Sequence, residues 1–252
     1  MDLGIAFLGQ PADAFEIARH AEEAGADLFF CGEADDVGYG CAVAAALATT
    51  HIRVGTNVTL ALARSPMLAA MEAHGLAQVA PDRSIYGVSS QIRQVIERRF
   101  GEPWYPPVGR TEEYVAVMRR AGRALRGANR EPFEGEYYHI SQFTFHAVPE
   151  PDLPDVPILL GAVGPQMLAL AARAYDGVLG HGVATPRYLR EIARPAVGSL
   201  PLYTSALASV AEDQERARDL ARWVVAFYAT TPNFQFVFDL EERPEMPQKL
   251  RH

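Results

Sequence analysis

A chain of 252 residues with 49% hydrophobic content can bury a sizeable core, as one large domain or two small ones. Its net charge of −8 and lack of any basic block argue against a nucleic-acid surface, and two cysteines, Cys31 and Cys41, give neither a disulfide framework nor metal-ligand spacing. The opening MDLGIAFLG lacks a basic leader and cleavage site, and no apolar run approaches membrane-spanning length, so the chain reads as cytoplasmic with free thiols.

In chain order the sequence repeats one unit. Residues 3–8 form a short apolar run, and Ala14, Ile17, Ala18 and Ala21 recur at the spacing of a buried helical face closing at Gly25. Residues 28–32 (LFFCG) read as the next strand, ending at Glu33, with an alanine-rich helix over 41–50. Residues 53–60 (RVGTNVTL) are a third strand with a helix over 66–79, and 84–88 (SIYGV) a fourth. The rhythm then breaks. Residues 91–157 carry a proline-rich loop, a long helix with Tyr114, Val117, Met118, Ala121 and Leu125 inward, and a hairpin-like stretch over 133–145. Insertions of this kind shape a substrate pocket or merely pack on the barrel, and Trp104, Tyr105, Tyr137 and Tyr138 are open to either use.

Residues 157–180 (PILLGAVGPQMLALAARAYDGVLG) are the most informative stretch. An apolar run ends at Gly161, a loop carries Gly164, and Pro165 opens a helix with Met167, Leu170, Ala171 and Ala174 on its buried face. The loop would offer backbone N–H groups and a helix N-terminus to an anion, so a phosphorylated ligand is expected there; a plain tight turn is the alternative. Strands over 177–180 and 202–210 follow, then a helix with Ala217, Leu220, Ala221, Val224 and Tyr228 inward. Phe234, Phe236 and Phe238 alternate with Gln235, Val237 and Asp239, a pattern that fits a final strand.

Strands alternating with amphipathic helices imply parallel pairing, because parallel neighbours need a crossover connection. Seven such units predict an α/β fold, a TIM-type (β/α)8 barrel incomplete or shortened at the C-terminus, with residues 1–252 as one domain and an insertion around 91–157. A doubly wound open sheet competes, but no GxGxxG follows the first strand.

Several segments, in order, resemble the luciferase-like flavin and deazaflavin oxidoreductases: AEEAGADLFFCGE, IRVGTNVTLALARSP, PDRSIYGV, FGEPWYPPVGRTEEYVAVMRRA with FEGEYY, and VPILLGAVGPQMLALAARAYDGV. The resemblance covers residues 1–230 or so. It implies a barrel, usually a homodimer, with F420 (alternatively FMN) at the C-terminal ends of the strands. Gly161, Ala162, Val163, Gly164 and Pro165 match the turn that receives the cofactor phosphate. Asn57, Val58 and Thr59 match the strand end beside the ring, or simply cap a strand. Ser89 and Ser90 stand where relatives have a Gly-rich turn, and their hydroxyls serve a ligand or the turn itself. His181, in a Gly-His-Gly at a strand end, is a candidate ligand contact. His20, His51, His74, His139, His146 and His252 show no mutual spacing suited to a metal or a nucleophile.

Glu33 is the catalytic candidate. Many relatives carry an acid–histidine pair at this point, whereas here GEADD places Ala34 at the histidine position. Glu33, Asp35 or Asp36 could act as a general acid if burial raised its pKa; three solvated loop acids are the alternative. The expected activity is hydride transfer between the reduced cofactor and a small organic substrate, with mono-oxygenation as the variant an FMN enzyme would perform. Ala34 and an end before any clear eighth unit motivate a second expectation: a catalytically degenerate subunit that binds a flavin or a partner protein without turnover.

Overall fold

The computed structural model describes residues 1–128, 130–243 and 245. Strands β1 (Gly4–Phe7), β2 (Leu28–Cys31) and β3 (Arg53–Thr56) lie side by side in parallel, joined by helices α1 (Pro11–Glu23) and α2 (Gly38–Ala48). The expected strand over 53–60 is interrupted: it resumes as β4 (Thr59–Leu60), which pairs with the far end of β5 (Ser84–Ser89). Gly55 faces Ile85 and Thr59 faces Val88, so the first strand carries one residue more than its partner over this stretch. That is a β-bulge at Asn57 and Val58, and the peptide bond joining the two is cis.

Helix α3 (Pro66–Val79) crosses from β4 to β5. The insertion contains α4 (Arg93–Arg99), α5 (Pro107–Leu125) and an antiparallel pair, β6 (Phe133–Glu134) with β7 (His139–Ile140). The main rhythm returns with β8 (Ile158–Gly161), α6 (Pro165–Ala174) and β9 (Gly177–Leu179). A helical run follows, made of α7 (Pro186–Tyr188), a π-helical turn (Leu189–Ala193) and α8 (Arg194–Val197), and leads to β10 (Leu202–Tyr203). The sheet order is β1-β2-β3-β5-β8-β9-β10 with parallel neighbours throughout. The sheet curls with its helices outside, an incomplete (β/α)8 barrel as the sequence predicts.

Side chains alternate strictly across this sheet. Leu28, Phe30, Ile85, Leu159 and Leu179 point inward and form the barrel interior, with Val58 and Tyr203 packed against it. Phe29, Cys31 and Val54 point outward among the buried alanines of α1 and α2. Tyr86, Val88, Ile158, Leu160 and Val178 point outward into the larger cluster with α3, α5 and α6. Each such apolar side chain contributes about 1.5–3 kcal/mol by leaving water.

Helix α5 buries the five residues its spacing predicts. Elsewhere the faces shift. Ile17 is exposed although Ala14, Ala18 and Ala21 are buried, and α6 buries Leu168 with Leu170 and Ala171 where Met167 and Ala174 are expected. The expected strand over 202–210 is confined to Leu202–Tyr203. Helix α9 (Gln214–Ala229) buries Ala229 but leaves Leu220, Trp223 and Phe227 exposed. Residues 234–238 do not form a strand: a 3-10 turn (Pro232–Phe234) leads into α10 (Gln235–Leu240). Their aromatic alternation is overridden by a helical stripe, since Phe236, Val237 and Leu240 all face the large core. Among the described residues β1 and β10 are the sheet's edges, and both Ile5 and Ala6 of β1 are exposed.

Glu22, near the end of α1, fastens that helix to the turn before β3. Its carboxylate accepts N–H bonds from Thr50, His51 and Ile52 at 2.9, 2.8 and 3.1 Å. Burial pushes the group up, but these donors outweigh it and hold its pKa at about 2. The folded value lies below the unfolded one, so the stabilisation is complete above about pH 4.5 and is lost as pH falls towards 2. Glu22→Gln is expected to be less stable than wild type at pH 7 by about 1–3 kcal/mol. In urea titrations repeated down the pH scale, that gap should close below pH 4.5 or so; a gap independent of pH would remove the carboxylate from this role.

Candidate functional site

Every candidate residue lies at or just beyond the C-terminal end of a parallel strand, the side on which barrel loops carry ligands. Three of these ends touch. A methyl group on Gly161 would sit 3.0 Å from Val58 Cγ1 and 3.1 Å from Ser89 Cβ. The bulge, the end of β5 and the end of β8 therefore close on one spot, and glycine at 161 answers that crowding. Asn57 anchors the bulge by donating its N–H to Cys31 O at 2.8 Å, and Thr59 is fully buried. Ser89 and Ser90 part company. Ser89 shares the inward face with Ile85, whereas Ser90 is on the outward alternation and donates to Gln91 O at 3.3 Å. The Ser89 hydroxyl accepts the Gln91 N–H at 3.2 Å, so both hydroxyls bond within the turn.

The turn from β8 to α6 also divides in two. Gly161 and Ala162 belong to the sheet, with the Ala162 N–H donating to Leu179 O at 3.1 Å. Val163, Gly164 and Pro165 form the open part. Gly164 is the N-cap of α6 in an extended conformation, no described side chain caps it, and no described atom lies within 4 Å of where its Cβ would be. The first-turn N–H groups of Gln166 and Met167 have no acceptor inside the helix. A helix start of this kind carries partial positive charge into open space.

Glu33 is neither solvated nor an isolated buried acid. Its two oxygens accept from Arg64 Nη1 and Nη2 at 3.0 and 3.2 Å, and Oε2 also accepts the Leu60 N–H at 3.2 Å. On its other side Arg64 Nε lies 3.5 Å from Glu72 Oε1, and Tyr86 donates its hydroxyl to Glu72. The side chains of Glu33, Arg64 and Glu72 are 11%, 12% and 12% exposed. Glu33 thus ties the end of β2 to the strand just after the bulge. Asp35 is solvated and meets Arg99, which also donates to the Ala34 carbonyl. Arg64, Glu72 and Tyr86 escaped the sequence reading; the available signal was a lone arginine in the apolar run LALARSPML.

His181 lies two residues beyond inward-facing Leu179. It stacks on Phe234 at 4.6 Å and 29° and meets Tyr228 edge-on at 4.5 Å and 80°. Burial pushes its pKa down, and Nδ1 accepts the Val183 N–H at 3.3 Å, which assigns the ring proton to Nε2. The contacts of His181 are thus to the C-terminal segment rather than to the bulge. The insertion's aromatics pack on one another and on α5: Tyr105 meets Tyr137, Tyr138 meets Tyr114, and Arg110 lies over Tyr105 and Tyr138. Among the described residues no group of three or more His, Cys, Asp or Glu could hold a metal, and no helix is long and apolar enough to cross a membrane. His252 lies outside the described residues.

Comparison with known proteins adds four findings. The family profile described as luciferase-like monooxygenase matches residues 5–251. An uncharacterized protein of Mycobacterium tuberculosis is 32% identical over 245 residues, covering 91% of this chain and 72% of that one. A 5,10-methylenetetrahydromethanopterin reductase of Archaeoglobus fulgidus is 31% identical over 193 residues, covering 72% of this chain and 55% of that one. Among solved structures, the coenzyme F420-dependent tetrahydromethanopterin reductase of Methanopyrus kandleri superposes with a TM-score of 0.76 at 20% identity, covering 95% of this chain and 75% of that one. This last likeness is one of fold.

The Glu33–Arg64–Glu72 cluster makes its own prediction. Arg64→Met leaves two buried carboxylates with no cation between them, which should cost about 3–5 kcal/mol. The expected reading is a Tm lower by about 10 °C, part of it restored when Glu33→Gln is added. A single variant as stable as wild type would show that the cluster contributes nothing net.

Proposed function

Because the chain belongs to the luciferase-like monooxygenase family, we propose that it is an oxidoreductase that binds F420, or alternatively FMN, at its strand ends. It transfers hydride between the reduced cofactor and a small organic substrate. The observation that carries this reading is the meeting of Val58, Ser89 and Gly161 beside an uncapped helix start at Gly164. A flat ring needs a wall of backbone and small side chains, and a phosphate needs free N–H groups with positive potential. The two lie next to each other here.

When bound, the deazaflavin or flavin supplies the hydride chemistry. The chain's part is binding and alignment. Val163, Gly164 and Pro165 with the first turn of α6 receive the phosphate. Asn57, Val58 and Thr59 form the wall for the ring, and Ser89 and Gly161 floor it, with Ala162 and Ser90 supporting from the sheet and the turn. Glu33 acts through position: paired with Arg64 and bonded to the Leu60 N–H, it holds the bulge in place. His181 holds a proton at Nε2 and can present it as a donor, while Tyr228 and Phe234 keep water from its ring. Exposed Leu68 and Met71, one turn apart on α3, suit a homodimer contact.

A second reading has its own observation. The open edges of β1 and β10, with Ile5 and Ala6 both exposed, suit a subunit that completes itself against a partner and binds a flavin or that partner without turnover. Parallel titrations with F420 and FMN, followed by a turnover assay on whichever binds, separate the two readings. Micromolar binding of one with reduction or oxidation of an organic substrate supports the oxidoreductase; binding without turnover, or binding of neither by a folded sample, supports the degenerate subunit.

Gly164→Asp tests the turn itself. The extended backbone there accepts any residue, the space is open, and aspartate is a good N-cap, so Tm should hold or rise slightly. Its carboxylate would occupy the anion position, and affinity for the phosphorylated cofactor should fall about tenfold or more. Unchanged affinity would place the phosphate elsewhere.

A further inference from the structure

We infer that Tyr188 is a positioning residue for anion binding at the turn between β8 and α6, an inference that rests on that turn holding the cofactor phosphate. Tyr188 donates its hydroxyl to Val163 O at 2.6 Å, across 25 residues of sequence. The ring is buried at 1% exposure, so the Val163 carbonyl is drawn towards the inside of the molecule. In a planar trans peptide the carbonyl of one residue and the N–H of the next point in opposite directions. Drawing the Val163 carbonyl inward therefore turns the Gly164 N–H the opposite way, at a residue that also has open space where a Cβ would stand. One hydroxyl sets the direction of the donor an anion would meet first.

The hydroxyl is itself fixed. Thr185 accepts the Tyr188 N–H at 3.1 Å and starts the helix there, and the ring packs against Phe236 of α10 at 6.0 Å. Thr185 also donates to Glu241, just beyond α10. Burial pushes the phenol up to about 12, so it remains a donor over the whole working pH range. The tyrosine thus joins the C-terminal helical segment to the turn and passes the rigidity of one to the other.

The test compares phosphorylated with unphosphorylated ligands in the whole chain: FMN against riboflavin, and F420 against its deazaflavin without the phosphate arm. The quantity read is the affinity ratio within each pair. Tyr188→Phe keeps the ring and its packing, and should lower the preference for the phosphorylated member about five- to tenfold, the scale of one lost hydrogen bond. Affinity for the unphosphorylated member should hold, with Tm lower by about 2–4 °C for one lost hydrogen bond. Tyr203→Phe is the control, since its hydroxyl accepts from Arg53 at 3.1 Å near the start of β3, away from the turn, and its ratio should match wild type. A wild-type ratio in Tyr188→Phe, or an equal fall in both variants, overturns the inference while leaving the phosphate turn standing. A wild-type protein with no preference for the phosphorylated member removes the turn from the proposed function, and the inference with it.

Discussion

A parallel strand covered on both faces must send successive side chains alternately into the barrel and out among the helices. In this protein that alternation decides which residues can meet. It carries Ile85 and Ser89 to the same side, places Leu159 and Gly161 there, and brings the bulge residue Val58 against the same interior cluster. It sends Ser90 the other way. The interior is so narrow that a methyl on Gly87 would lie 2.3 Å from Leu179 Cδ1. Bulky side chains fill its lower layer, and small residues, Ser89 and Gly161, remain at the strand ends.

Two concentrations of charge lie near this mouth and behave in opposite ways. The Glu33–Arg64–Glu72 cluster is closed: its cation is held between two carboxylates, and Glu33 also receives a backbone N–H. Groups so committed orient their surroundings and have little left for a ligand. The start of α6 is open, with an extended N-cap glycine and no described capping side chain. An uncapped helix start beside open space calls for an anion in a way that a satisfied ion cluster does not. In the function proposed above, that contrast gives the ligand to the turn, while Glu33 is bonded to Arg64 and to the Leu60 N–H just after the bulge.

The C-terminal helices supply what the sheet lacks on this side. Phe234 and Tyr228 enclose His181, and Phe236 backs Tyr188, whose hydroxyl reaches the turn. The segment is thus joined to His181, two residues beyond β9, and through Tyr188 to the loop that follows β8. The outer face of α9 remains apolar and exposed at Leu220, Trp223 and Phe227, because no further strand–helix layer among the described residues lies over it.

The sequence by itself determined the βα rhythm, the buried face of α5 and the helix start at Pro165, because periodicity and proline act over a few neighbouring residues. It also put the candidate residues at strand ends, where the structure places them, whereas the opposite senses of Ser89 and Ser90 came with the strand pairing. Other features needed the folded chain. The bulge at Asn57 and Val58 appears only when the strand is set against β5. The alternation at residues 234–238 suggested a strand, but contacts with the large core made a helix of it. The pairing of Glu33 with Arg64 spans 31 residues and that of Tyr188 with Val163 spans 25, and no local pattern records either. Local structure follows from short-range sterics and hydrophobic period. Which charge is neutralised and which donor is left open follows from long-range packing, and only the tertiary structure decides that.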